Sequence, residues 1–331
     1  MRTISLKLLI LALVLVSCNK DSEVDQGDLN PQELNVKPIF VDVDFPVYEV
    51  TNRTKAQTTQ KPNQKFVRLA MAEYITSSES GKIGNTVFFN NRGKKQLSFD
   101  FLPFDPLDGT PDISYYIDET RPTTDISLEI STNAIQRAMA TWDDLTCSEL
   151  GLFEFTPEGQ LSSGYVAKLV YDIGLIDQDL GGSYDYFGDV VHSGWLPAEF
   201  FDIELIFGPG GGSNSVIGVT FTIQFTDEQG NPIDLDNNGK FDVAWREIYY
   251  NENFTWNDGN TVDIESIALH EAGHGLSQAH FGKLFRTDSN GKFHFSPRAV
   301  MNAGYVGGTY TEVQATDNAG HCSNWASWPE N

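Results

Sequence analysis

Basic residues are scarce where acidic ones are abundant. The chain has 22 Lys/Arg and 46 Asp/Glu in 331 residues. Residues 1–110 hold 13 of each, leaving 22 − 13 = 9 basic and 46 − 13 = 33 acidic for residues 111–331, so the second part carries the whole net charge of −24. Such a surface repels nucleic acid and anionic membrane, so nucleic acid is not an expected partner. It suits bound Ca²⁺, a saline milieu or basic substrates, or is simply a solvated face. Internal repeats are missing, which excludes a solenoid. The glycine-rich "GPGGGSNS" (208–215) lacks the lysine and pattern of a phosphate loop, which argues against a nucleotide site. Long apolar runs are missing too, apart from the one in "MRTISLKLLILALVLVSC", which is short for a bilayer span. Composition is otherwise that of a globular chain, 40% hydrophobic and 12% aromatic, long enough for one large domain or two modest ones.

Cysteine is rarer still, with three in the chain. The first stands in a targeting segment. A basic start (Arg2, Lys7) precedes the apolar run, and Leu15-Val16-Ser17-Cys18 resembles a bacterial lipobox. This implies a signal peptide over 1–17 and lipidation of Cys18. The following "NKDSE" resembles the signals that send lipoproteins to the outer surface of Gram-negative cells. The expectation is an exported lipoprotein, held by a lipid anchor to the outer membrane and facing the cell surface. Export leaves Cys147 and Cys322 in an oxidising compartment. One bridge between them is the economical reading, and two buried thiols the alternative.

Residues 18–65 are polar with little periodicity and read as a tether. Residues 66–110 contain short β-like runs around the turn signal "NNRG" and read as a small N-terminal extension or a pro-segment covering a cleft. Residues 111–331 read as the main domain. "DISYYID" is a strand candidate. "STNAIQRAMATWDDLT" is a helix capped by Ser131 or Thr132, with Ile135, Met139 and Trp142 at helical spacing. "GYVAKLVYDIG" alternates like a strand, and "LGGSYDYFGDVVHSGWLP" looks like a long structured loop. Residues 218–225 and "AWREIYYN" read as strands, and a helix starts near Asp263. This order of elements points to α+β.

"HEAGHGLSQAH" (270–280) holds half of the six histidines. On a helix, His270 and His274 leave one face, a turn apart, where two imidazole nitrogens can reach one Zn²⁺. Glu271 lies close enough to hold a metal-bound water and act as general base. His280, six residues past His274, lies roughly 120° off that face, so the helix must end near 276 and the chain turn back. Glycine normally makes such a turn. Ser277 stands there instead, at about 1 kcal/mol for a non-glycine residue in the left-handed region. Relieving it with Ser277→Gly is expected to leave zinc binding equal or tighter.

These residues resemble the long zinc motif of the metzincin metalloproteases. "RAVMNAGY" is similar to their Met-turn, with Met301 beneath the metal. Tyr305, four residues on, matches the substrate-pocket wall of the matrixin branch, and Ala303 stands where other branches place a metal-binding tyrosine. "NAIQRAMATWDDLT" and "DVVHSGWLP" look like the matrixin N-terminal helix and its histidine-bearing loop. The resemblance covers about 112–331. It implies a twisted mixed sheet, an N-terminal helix, an active-site helix, a Met-turn and a C-terminal subdomain. It also implies catalytic Zn²⁺ on His270, His274 and His280, with a protein or peptide as substrate cleaved by Glu271-activated water and held on an edge strand at 218–225. Ser277 and Ala303 depart from the family pattern. A gluzincin ligand set would use Glu312, but "TYTEVQATD" lacks that family's pattern. No Pro-Arg-Cys-Gly switch precedes the domain, so latency would need another device, with Asp105 or Asp108 as candidates.

"DLDNNGKFD" (234–242) places Asp234, Asp236, Asn238 and Asp242 at positions 1, 3, 5 and 9 of an EF-hand-like loop, with Gly239 at 6, and suggests a structural Ca²⁺. Position 12 is Trp245, although Glu247 is near. A turn joining two strands suits the same residues. His192 is read in a non-metal role. The leading expectation is a zinc endopeptidase. The alternative is a catalytically lapsed, calcium-stabilised surface binding protein on the same frame.

Overall fold

The computed structural model describes residues 32–34, 36–52, 66–89, 99–105, 107–159, 161–287 and 291–330. The signal peptide, Cys18, the "NNRG" turn and much of the tether lie outside them. No helix among the described residues is long and apolar enough to cross a membrane.

The strands are β1 Gln32–Leu34, β2 Ile39–Val41, β3 Tyr48–Glu49, β4 Thr51–Asn52, β5 Phe66–Ser77, β6 Asn85–Phe89, β7 Phe99–Asp100, β8 Ile113–Ile117, β9 Leu152–Glu154, β10 Asp185–Tyr186, β11 Val190–Leu196, β12 Val216–Thr226, β13 Phe241–Asn251, β14 Lys283–Arg286, β15 Phe293–Ser296 and β16 Gly304–Tyr305. The helices are α1 Leu128–Asp143, α2 Tyr165–Asp172, α3 Ala198–Phe201, α4 Glu204–Phe207, α5 Ile264–Gly275 and α6 Ala315–Trp325. The fold is α+β, as the order of elements implied. Its centre is a mixed sheet in the order β2-β6-β5-β12-β13-β11-β8-β9, with β3 and β16 also on β5, and β7 on β13.

Alternation along the strands divides the core in two. Tyr249, Val191 and Phe221 face one side with α2, α3 and α4. Tyr250, Ile248 and Val190 face the other with α1, α5 and Met301. Cys147 and Cys322 are bridged, tying the end of the α1 region to α6.

Several expectations change. The stretch 164–174 holds helix α2, Tyr165–Asp172, not a strand: Glu247 on β13 accepts the Tyr165 and Val166 amides at 2.7 and 3.0 Å, a cap supplied from 81 or more residues away. Residues 190–196, expected in a loop, are an interior parallel strand. Every residue of it is buried, which erases the period-2 signal. Helix α1 starts at Leu128 with Ser127 as its cap, while Ser131 donates back to the Leu128 carbonyl. Residues 32–34 and 36–52, expected to be tether, contribute β1 to β4, and Phe45 and Val50 are buried. The strand at 218–225 is not an edge. β5, from the stretch expected to precede the main domain, pairs along it from Val216↔Thr76 to Thr226↔Phe66.

Candidate metal centre

Asp263 starts α5. Its carboxylate accepts the Ser266 amide at 2.9 Å and the Ser266 hydroxyl as well. The helix is buried on every side, so His270 and His274 sit on a rigid element. Two glycines of the motif set its packing. A Cβ on Gly273 would lie 2.3 Å from the Met301 sulfur, and one on Gly275 would lie 2.9 Å from Val190. Met301 thus packs directly against the helix that carries the histidines.

The helix ends as the ligand spacing requires. The Gln278 amide donates to the Gly273 carbonyl at 2.9 Å and the Ser277 amide to the His274 carbonyl at 3.0 Å, the two bonds of a Schellman motif. Ser277 occupies its left-handed position with φ 66°. Arg246 of β13, fully buried, holds it there, with Nη1 donating to the Ser277 hydroxyl at 2.8 Å and to the His274 and Gly275 carbonyls at 2.7 and 3.1 Å. A cation at the carbonyl end of a helix is also favourable to its dipole. The turn returns His280 to the other two histidines.

His270 Nδ1 donates to the Val300 carbonyl at 2.7 Å and His274 Nδ1 to the Gln278 carbonyl at 2.6 Å. Both bonds leave Nε2 with its lone pair free. His274 Nε2 lies 3.1 Å from His280 Nε2, and one nitrogen from each of the three rings lies within 4.8 Å of the others. Tetrahedral Zn²⁺ with bonds near 2.0–2.1 Å sets ligand nitrogens about 3.3 Å apart. His270 Nε2 is buried without a hydrogen-bond partner, as expected of a ligand atom rather than a core polar group. Burial holds His270 down to about 4, and burial followed by the neighbouring imidazoles lowers His274 and His280. The rings are therefore neutral, the ligating form.

Glu271 is fully buried beside them. Thr220 of β12 donates to its Oε2 at 2.6 Å, and Oε1 has no hydrogen-bond partner. Gly218 leaves room for it: a Cβ there would come within 2.9 Å of Oε1. Burial first, then the Glu73 charge, raises the Glu271 pKa, opposed by the Thr220 bond and the Ile75 backbone amide.

Asp317 of α6 was not legible as a site residue. It accepts the Val300 and Met301 amides at 2.9 and 3.0 Å and so fixes the turn at Met301. Its capping-box spacing with Gln314 was the available signal. Tyr305 pairs with β5 at Ser77, accepts the Asp263 amide at 3.3 Å, and lines a cavity of about 160 Å³ with His270, Val300, Phe295 and Ile75.

Other expected residues lie elsewhere. His192 is bonded to Tyr250 at 2.8 Å and to the Met139 sulfur at 3.4 Å, a core histidine. Glu247, a spare calcium ligand in the sequence reading, caps α2 instead. Asp105 and Asp108, candidates for latency, belong to a separate cluster with Asp189. Asp234, Asp236 and Asp242 do converge within 4.8 Å, whereas the Asn238 side chain points its amide at Asp236 and Asp100. Compared with known proteins, the chain matches no protein-family model and no curated protein.

Proposed function

We propose that the chain is a zinc-dependent endopeptidase on a metzincin, matrixin-like frame, displayed at the outer cell surface as a lipoprotein. The convergence of three neutral imidazole nitrogens beside a buried carboxylate carries this reading. His270, His274 and His280 would hold the metal. Bound zinc would supply Lewis acidity toward a peptide carbonyl and toward water. Glu271, aimed by Thr220, takes a proton from that water and returns it to the leaving amine. Met301 against Gly273 and the two Asp317 bonds keep the ligand helix and the Met-turn in register. The Tyr305 cavity would receive a substrate side chain. The export, anchor and surface part of the proposal rests on residues 1–23 of the sequence.

Purified protein should hold one zinc per chain, lose it in His274→Ala, and hydrolyse peptides in a way that Glu271→Ala abolishes while zinc stays bound. A chain without zinc, or hydrolysis that survives Glu271→Ala, overturns the proposal. The second reading, a catalytically lapsed surface binding protein stabilised by calcium, is favoured by one observation: β5 is buried, pairs along β12 and brings Glu73 within 3.4 Å of His274. Zinc without hydrolysis, even with β5 displaced, would select it.

A further inference from the structure

We infer that the 234–242 loop is a divalent-cation site of calcium type and that Asp100, outside the loop, supplies its missing acidic ligand. An EF-hand loop closes with a carboxylate at position 12, and here position 12 is Trp245, 1% exposed and committed to the core. The fold provides a substitute. β7 pairs in parallel with β13 at Asp242↔Asp100, which sets a fourth carboxylate beside the three that converge. Asn238 Nδ2 bridges Asp100 Oδ2 and Asp236 Oδ2 at 2.8 and 3.0 Å, and Lys240 Nζ lies 2.9 Å from Asp100. Asp234, Asp236 and Asp242 thus gather with Asp100, the carboxylate that pairs with Lys240. Asp242 is fully buried, and while its Oδ2 takes the Leu235 amide, its Oδ1 has no partner. Asp100 Oδ1 is buried and unpartnered in the same way. A polar oxygen is left so only at a strong cost unless a ligand meets it. An all-oxygen, acid-rich set on a loop suits a hard cation, and Ca²⁺ tolerates its irregular geometry better than Mg²⁺. Bound there, the cation pins β7 to β13. This inference does not depend on peptidase activity.

Calcium alone, titrated calorimetrically into the zinc-loaded, EGTA-washed chain, tests it. Wild type should bind one Ca²⁺. Asp100→Asn, a partly exposed and conservative change, should weaken it tenfold or more with an unchanged circular dichroism spectrum and zinc content. No uptake at millimolar calcium, or Asp100→Asn binding as tightly as wild type, overturns it.

A different observation carries a second inference, which rests on the zinc-protease reading: β5 lies in the cleft as a resident peptide in the position of a substrate. It runs antiparallel to β12 and parallel to Gly304–Tyr305, spanning the space between the two walls. Glu73 and Ile75, on its α5 side, approach the histidine helix. Glu73 stands 3.4 Å from His274 Nδ1, on the ring edge away from His280, and Ile75 faces Glu271 with its amide while lining the Tyr305 cavity. The cleft therefore accepts an extended chain of this polarity with a branched apolar side chain beside Tyr305, and cleavage of other peptides requires β5 to leave.

Hydrogen exchange of the zinc-loaded full chain, with and without a saturating peptide hydroxamate, reads this directly. Amides 72–77 should lose protection when the hydroxamate binds. Stoichiometric binding with protection unchanged overturns the inference. If wild type binds none, Glu73→Lys/Ile75→Arg, which sets a cation against Arg246 and a charge in the cavity, decides: binding gained tenfold or more supports it, and none gained overturns it. A zinc-free chain would instead be a failure of the protease reading.

Discussion

Ser277 is where the motif departs from its usual glycine, and the structure supplies the compensation. The left-handed conformation costs a non-glycine residue roughly 1–2 kcal/mol. Against this, the Arg246–Ser277 hydroxyl bond is made by a charged, buried donor, a class worth about 1.5–3 kcal/mol. The same guanidinium binds two carbonyls at the helix end, so one side chain holds both the end of α5 and the start of the turn to His280. This reverses the expectation drawn from sequence. Ser277→Gly relieves strain but gives up the bond, for a net loss of about 1 kcal/mol by the same figures. Ser277→Ala keeps the strain and loses the bond, so it should be the worse of the two, by about 1.5–3 kcal/mol below wild type. Thermal unfolding and zinc retention should rank wild type above Gly above Ala. Alanine equal to wild type would show that the Arg246 contact contributes nothing.

The elements that sequence reading located are those whose signals are local. The α5 cap at Asp263, the His270/His274 face and the strands at 218–225 and 244–251 each follow from residues a few positions apart. Those it missed depend on partners far along the chain. α2 is capped by Glu247, a contact from 81 or more residues away that no local reading shows. β11 has no alternation because both its faces are covered. β12 reads as a half-exposed strand and would be an edge had β5 not paired with it. The candidate site divides in the same way. His270, His274, Glu271 and His280 stand out by their spacing, and Met301 and Tyr305 by the resemblance to the metzincin pattern. Arg246, Thr220 and Asp317, which bond to Ser277, Glu271 and the Met301 amide, were not legible, nor was Asp100 beside the 234–242 loop, since each meets its partner only through the fold. β5 was legible only as an open choice between extension and pro-segment.

At the scale of the whole molecule, the acid excess and the buried histidines set opposite limbs of the stability–pH curve. His192 and His321, neither of them placed among the metal ligands, are held down by burial to about 3 and about 4. Between those values and the ordinary histidine value near 6.5, the unfolded chain binds protons that the folded chain refuses, so stability rises with pH until both forms are neutral. Buried carboxylates act the other way. Burial, then Asp108, raises Asp189 to about 8, and burial, then Asp236, raises Asp242 to about 8. From the ordinary aspartate value near 3.9 up to about 8 the folded chain keeps protons that the unfolded chain has released, so stability falls with pH through that window. Above about pH 7 the histidine contribution is flat and only the falling limb remains. In EGTA, thermal midpoints should therefore decline from pH 7 to pH 8.5. Asp189→Asn should make that decline shallower, because an amide has no proton to lose, and calcium should do the same by holding Asp242 ionised in the folded state. A midpoint that rises across this interval, or an Asp189→Asn slope parallel to wild type, would show that these carboxylates are ionised in the fold at neutral pH and that the cluster is stabilised by something other than retained protons.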